Sequence, residues 1–338
     1  AALLVEQGYD VTGVYMKNWT QDMPGLKCPW AEDLADAKRV AVHLGIDFEV
    51  FDFQKEYKHK VVDYMINEYK AGRTPNPDIM CNQEVKFRLF LDMALKQGAD
   101  MIATGHYARV ENGTLKLAKD ANKDQTYFLY RVTDEALQKT LFPLGEYTKP
   151  EVRKMAEDRG LTTAAKPDSQ GICFVGKIEL HEFLKERIPE QVGNIVTVDG
   201  EVLGQHKGHM YYTIGQRHGL GIGGGTPFFV VERRPVTNEL VVAPADNDDA
   251  LYQTDLSATE LTETVDGRLK KFDGGKLMAR IRYRQVLQEC EIVGWKEGDN
   301  LRDSTVKVEF KEPQRAIAPG QFIAFYFGDE LVGSGIIE

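Results

Sequence analysis

The sequence has 338 residues, 42% hydrophobic and 28% charged, and a net charge of −10. That length suggests two or three domains, and the acidic balance argues against a protein that grips nucleic acid over its whole surface, while leaving room for a local basic groove. No apolar run approaches the roughly 18 residues a membrane-spanning helix needs, and four cysteines, at 28, 81, 173 and 290, form neither a CxxC pair nor a metal-ligand spacing, which fits a reducing compartment rather than a disulfide scaffold.

Ala1 to Gln7 reads as the end of an amphipathic helix and Asp10 to Met16 as a strand, with Val11, Val14 and Tyr15 apolar. A helix feeding a buried strand is half of a βαβ unit, so a first strand and its loop are expected before Ala1. A polar loop from Asn18 to Trp30 carries Cys28. Glu32 to Leu44 predicts a helix with Gly45 as its C-cap, Phe48 to Phe53 a second strand, and Tyr57 to Ala71 another helix. Then comes Thr74-Pro75-Asn76-Pro77-Asp78-Ile79-Met80-Cys81-Asn82. Its two prolines predict a rigid loop that presents Asp78 and Cys81, with a helix following from Val85 to Gln97. A thiol at a helix start favours the reactive thiolate, although a single cysteine in a loop is more often inert. A second cysteine loop, Asp168-Ser169-Gln170-Gly171-Ile172-Cys173-Phe174, changes that balance. Asp100 to Thr104 is a third strand. Strands alternating with helices of about a dozen residues predict an α/β, doubly wound parallel sheet.

Ligands of such sheets sit at the C-terminal strand ends. Two ends stand out, Met16-Lys17-Asn18-Trp19 and Thr104-Gly105-His106-Tyr107. Gly105 permits close backbone approach; His106 could be a base, a positioning group or an ordinary surface histidine. In Lys123-Asp124-Gln125 the aspartate either caps a helix containing Tyr127, Phe128 and Leu129 or belongs to a polar cluster that meets phosphates.

After Pro189 the texture becomes β-rich, with Phe228 to Glu232 and Glu239 to Val242 predicting a hairpin. From about Asn247, short alternating segments (Leu277 to Tyr283, Cys290 to Val293, Thr305 to Phe310, Gln321 to Phe327, Leu331 to Ile336) predict a closed β-barrel. Three domains are expected, 1–187, 188–245 and 246–338. Alternation places Arg280, Arg282 and Arg284 on one strand face, for phosphate contact or as a solvated edge. Pro319-Gly320-Gln321 reads as a turn. The two cysteine loops could meet at the sheet edge, one thiol carrying sulfur as a persulfide, the other breaking the S–S bond and ending as its disulfide partner, with Asp78 as general base or orienting group.

The runs Tyr15-Met-Lys-Asn-Trp19, Ala71-Gly-Arg-Thr-Pro-Asn-Pro-Asp78, Cys81-Asn82, Ala103-Thr-Gly-His-Tyr-Ala-Arg109, Lys123-Asp-Gln125, Gly171-Ile-Cys-Phe174, Tyr212-Thr-Ile-Gly-Gln-Arg217, Gly219-Leu-Gly-Ile-Gly-Gly224 and Arg282-Tyr-Arg-Gln285 span nearly the whole chain. In that order they resemble the tRNA-specific 2-thiouridylases of the PP-loop ATP-pyrophosphatase superfamily. The resemblance implies a PP-loop domain, a small β-rich central domain and a tRNA-binding C-terminal barrel. It implies ATP, with Mg²⁺ on its phosphates, adenylation of the wobble uridine of tRNA, and sulfur delivered by a persulfide carrier protein in the cytoplasm. Glutamate, lysine and glutamine tRNAs are the implied acceptors. Met16 and Gly105 would line the nucleotide pocket. Asn76, Pro77 and Asp78 would contact the target base, Asp78 also as acid/base. His106, Lys123, Asp124, Gln125, Arg282, Tyr283 and Gln321 would contact tRNA. Cys173 would hold the persulfide and Cys81 would be its partner; Cys290 falls to the barrel core. The family's SGGVDS-type loop is not in this sequence, and without it no ATP activation is expected. The other readings are a different adenylating PP-loop enzyme (a lysidine synthetase or argininosuccinate synthase), indifferent to both thiols, a non-catalytic tRNA-binding factor, indifferent to ATP, and a thiol-redox protein that turns over without tRNA.

Overall fold

In the computed structural model, residues 1–21, 28–167, 180–223, 225–264 and 267–338 are described. The first unit begins with α1 (Ala2–Glu6), β1 (Thr12–Lys17), α2 (Trp30–Leu44) and β2 (Asp47–Asp52), with β1 and β2 parallel and in register from Thr12 opposite Asp47. Gly45 ends α2 in the left-handed conformation at φ 66°, which glycine adopts without a Cβ penalty. A long helix, α3, runs through Gln54–Tyr57, a π-helical Lys58–Val62 and Asp63–Lys70.

The next helix corrects the sequence expectation. It starts at Pro77, not Val85: α4 comprises Pro77–Met80, a π-helical stretch Cys81–Phe90 and Leu91–Lys96. Pro77 occupies the first helical position, where its fixed φ suits the helix and its missing N–H would have had no partner. Cys81 is therefore in the second turn of a helix rather than at a loop end.

Then come β3 (Ile102–Ala103), the hairpin β4 (Arg109–Glu111) and β5 (Thr114–Lys116), α5 (Asp134–Gln138), β6 (Thr140–Leu141) and α6 (Lys149–Asp158). β3 and β6 are parallel, so the α/β unit contains two parallel pairs, β1–β2 and β3–β6. A cleft of about 960 Å³ lies between them, with Thr12, Val14 and Met16 on one wall and Ile102 and Ala103 on the other.

After α7 (Leu180–Lys185) the small second unit is a four-stranded sheet of β7 (Gly193–Thr197), β8 (Val202–His206), β9 (Phe228–Arg234) and β10 (Glu239–Pro244), in the order β8-β7-β10-β9. The expected hairpin is β9–β10, antiparallel. The last unit comprises β11 (Tyr252–Glu263), β12 (Lys276–Arg280), β13 (Gln288–Lys296), β14 (Thr305–Arg315), β15 (Phe322–Phe327) and β16 (Glu330–Ile337). β11 pairs with both β14 and β16, closing these six strands into a barrel. Alternation fills its interior: Val306, Val308 and Phe310 of β14 point in and meet Ile292, Ile323 and Phe325. Cys290 is 2% exposed in this core, and burial pushes its thiol up to about 12, with help from Glu289. The hairpin β4–β5 attaches to the outside of the barrel, Lys116 pairing with Glu330, so one sheet runs from the first unit into the last.

Candidate active site

Two stretches of backbone organise the site. The first is the approach to α4. Thr74 N–H donates to Pro319 O at 2.9 Å, and Gln321 Nε2 donates to Thr74 O at 2.8 Å and Pro75 O at 3.2 Å. The barrel turn before β15 thus lies against this loop. A Cβ on Gly320 would fall 2.8 Å from Arg73 Cβ and 2.9 Å from Thr74 N, so only glycine fits there. Asn76 is extended (φ −119°, ψ 95°) and Asp78 is the second helical residue, where a carboxylate meets the positive end of the helix dipole. Cys81 follows at 0% exposure, packed in a core with Ile79 and Val85.

The second stretch is the end of β3. Met16, Gly105, His106 and Gln125 all line the cleft between the two parallel pairs. Its volume lies within the range of small-molecule sites. A Cβ on Gly105 would meet only Leu144, at an ordinary 3.7 Å, so the surrounding protein does not itself require glycine. His106 is buried; its Nδ1 bonds to Thr104 Oγ1 at 2.8 Å and its ring sits between Phe87 and Phe142, at 5.6 and 6.1 Å. Burial, followed by the charge of Lys86, holds its pKa well below 6.5, so the imidazole is neutral at physiological pH. Gln125 clamps the strand end from both sides: its Oε1 accepts from Tyr107 N at 2.9 Å and its own N donates to Tyr107 O at 2.8 Å.

Asp124 occupies a different place from either sequence reading. It caps no helix, the 126–128 segment being a single 3-10 turn, and at 2% exposure it faces inward. Its Oδ2 accepts from Ala118 N at 2.7 Å; its Oδ1 accepts from Thr126 Oγ1 at 2.6 Å and Arg280 Nη2 at 2.9 Å. Lys123, beside it, is half-buried.

The arginine row is likewise corrected. β12 stops at Arg280, and the chain turns there, with Arg284 at φ 63°. Arg280 goes inward, 4% exposed, with its guanidinium 4.8 Å over the Tyr326 ring, while Arg282 and Arg284 are exposed. The Tyr283 ring packs against Phe128, tilted by 48° with centroids 4.7 Å apart, under the Arg284 guanidinium. Asn82, next to Cys81, donates from Nδ2 to Phe128 O at 2.9 Å, which ties the cysteine helix to this aromatic step. Cys173 lies outside the described residues. The structure therefore brings the predicted residues into two groups: Met16, Gly105, His106 and Gln125 on the cleft, and Asn76, Pro77 and Asp78 beside Gln321 at the barrel. Among the described residues no cluster of His, Cys, Asp and Glu is placed to hold a metal ion, and no helix is long and apolar enough to cross a membrane.

Family models match in the same order as the units: the tRNA methyl transferase HUP domain over residues 1–177, the tRNA methyl transferase PRC-barrel domain over 181–244 and the aminomethyltransferase beta-barrel domain over 266–337. Curated relatives include the tRNA-specific 2-thiouridylases MnmA of Enterococcus faecalis (47% identical, covering 100% of this chain and 91% of the relative), Lysinibacillus sphaericus (46%, 100% and 90%) and Lactococcus lactis subsp. lactis (48%, 100% and 90%). The chain belongs to the tRNA-specific 2-thiouridylase family.

In this 2-thiouridylase, sequence reasoning missed the buried pair Asp124–Arg280, whose members are 156 positions apart and carry no local signal. It also missed β4–β5, although Asn112-Gly113, with φ 52° and 77°, is the dipeptide of a two-residue hairpin turn.

Proposed function

We propose that this 2-thiouridylase thiolates the wobble uridine, position 34, of glutamate, lysine and glutamine tRNAs in the cytoplasm, using ATP and sulfur from a persulfide carrier protein. The observation that carries this reading is similarity to 2-thiouridylases over the whole of this chain and 91% of the Enterococcus faecalis relative, with Met16 and Gly105 lining one cleft. The catalytic unit is assigned to 1–187, the central unit to 188–245 and the tRNA-binding barrel to 246–338.

The uridine 2-carbonyl is a poor electrophile. ATP, with Mg²⁺ balancing its phosphates, supplies the AMP that turns the 2-oxygen into a leaving group. Asn76 and Pro77 hold the flipped base, and Asp78 orients it and manages its proton. The terminal sulfur of a Cys173 persulfide attacks C2 and AMP leaves. The Cys81 thiolate then attacks the Cys173 Sγ, releasing the 2-thiouridine sulfur and leaving a Cys81–Cys173 disulfide, which an external thiol must reduce before the next turnover. Cys81 is buried, so its helix has to be uncovered for this step. His106 serves as a neutral positioning group near the nucleotide, Gln125 on the cleft and Lys123 near it in sequence face tRNA, and Arg282 and Tyr283 offer charge and an aromatic ring to the RNA.

The test incubates the complete gene product with unmodified tRNA, ATP, Mg²⁺ and a persulfide donor, and reads 2-thiouridine by mercury-gel retardation. Wild type gives the shifted band; Cys173→Ser, Cys81→Ser and Asp78→Asn lose it. AMP release without a shifted band would point to another adenylating enzyme, and RNA binding without ATP dependence to a non-catalytic factor.

A further inference from the structure

The side chain of Gln321 makes its two hydrogen bonds not outward but to the loop that leads into α4, at Thr74 O (2.8 Å) and Pro75 O (3.2 Å). Its own backbone is fixed on the barrel, because Gln321 N donates to Ala318 O at 3.1 Å and Gln321 O accepts from Ile337 N at 2.8 Å. Thr74 N–H returns a bond to Pro319 O, and Gly320 leaves no space between the turn and Thr74. A barrel strand end therefore grips two consecutive carbonyls of the catalytic unit.

The chain beyond those carbonyls is stiff. Pro75 and Pro77 both have φ locked by their rings, and Asn76 between them is held extended by the proline after it. With these torsions restricted, a displacement at Thr74–Pro75 is passed on to Asn76, Pro77 and Asp78. We propose that Gln321 is a positioning residue for catalysis: it sets the height of the Asn76–Asp78 segment relative to the base, so that this one turn of the barrel determines how fast bound tRNA reacts, while other barrel residues serve binding. This rests on the thiolation reading above, and it gives Gln321 a role different from direct contact with tRNA.

The two roles separate in one experiment on the complete gene product. Single-turnover thiolation is measured at saturating tRNA, and tRNA affinity independently by filter binding, for wild type, Gln321→Ala, Gln321→Glu and Gln321→Lys. Glutamate keeps the size but sets a carboxylate against two carbonyl oxygens; lysine restores a donor. The expected result is a saturating rate at least tenfold lower in Gln321→Ala and Gln321→Glu, with Kd within twofold of wild type, and partial recovery of rate in Gln321→Lys. Weakened binding in Gln321→Ala with an unchanged saturating rate would make Gln321 an RNA contact and overturn the proposal. An equal loss in all three variants accompanied by a lost cooperative melt would reduce Gln321 to a structural residue and overturn it too. A wild type that binds tRNA and ATP but never thiolates removes the functional reading itself, and this inference with it.

Discussion

The first, α/β unit touches its two neighbours in different ways. Its seam with the barrel is held by directed polar contacts. Asp124 meets Arg280, the single Tyr127 O–H proton is shared between Ile281 O at 3.1 Å and Phe322 O at 3.0 Å, and Thr126 shares a hydrogen bond with Tyr326. Its seam with the central sheet rests on close packing: a Cβ on Gly72 would meet Pro235 at 3.4 Å and His209 at 3.5 Å. Burial holds Arg233 nearby, down to about 10, and lowers the pKa of His209, with Arg233 and His206 adding to it. Directed bonds fix a geometry and packing fixes a distance, so the barrel is the unit suited to aligning the loop that carries Asp78, and the central sheet the one suited to shifting.

The largest test of that contrast is Asp124→Ala. It strands the Arg280 guanidinium in the interior and is expected to cost about 3–5 kcal/mol in urea unfolding. Removing both charges, in Asp124→Leu/Arg280→Met, recovers most of the loss. A single-variant loss below about 1 kcal/mol would break the comparison. Tyr127→Phe should cost about 1–3 kcal/mol, because two carbonyls lose their donor in a dry interface.

The central seam should respond to acid instead. His206 and His209 both have pKa values lowered by burial from the usual 6.5, so the folded state binds protons less readily than the unfolded one. Their contribution is intact above about pH 6.5 and is lost as pH falls through the lowered values, by at most about 1.4 kcal/mol per pH unit for each group. Melting followed from pH 7.5 to 5.5 should show that slope, and His209→Gln should flatten it. The smallest effect belongs to the exposed pair Arg109–Asp329 at the barrel seam, 3.1 Å apart. Asp329→Asn should change stability by about 0–1 kcal/mol and lose even that in high salt.

Legibility followed periodicity. The barrel stave β14 could be read because it alternates, with Val306, Val308 and Phe310 in the core, whereas β15 and β16 read as short apolar runs because both of their faces are buried. β11 hid because its register shifts between Gln253 and Asp255 and again between Thr259 and Thr262, with Glu260 at φ 45°, and both interruptions break the period of two. The same alternation was carried too far at Arg282 and Arg284, where the strand had already ended. The prolines marked the Thr74 to Asp78 segment as rigid, but not that the second of them opens a helix. Motif order located Met16, Gly105, His106 and Gln125, which the fold then gathers on one cleft. Gln321's engagement with Thr74 joins residues 247 apart and is visible only in three dimensions.

The pairing of β16 with three strands, β15, β11 and β5, also imposes an order on assembly. A ribosome delivers β11 early and β16 last of these strands, yet β11 has only β14 on one side until β16 arrives. β5 waits for the same partner. β15 waits for it as well. Until then the nascent chain carries three unpaired strand edges, each a template for a neighbouring chain. Emergence of one segment seals all three at once, so ending translation before Glu330 would give not a shortened enzyme but an open sheet with adhesive borders.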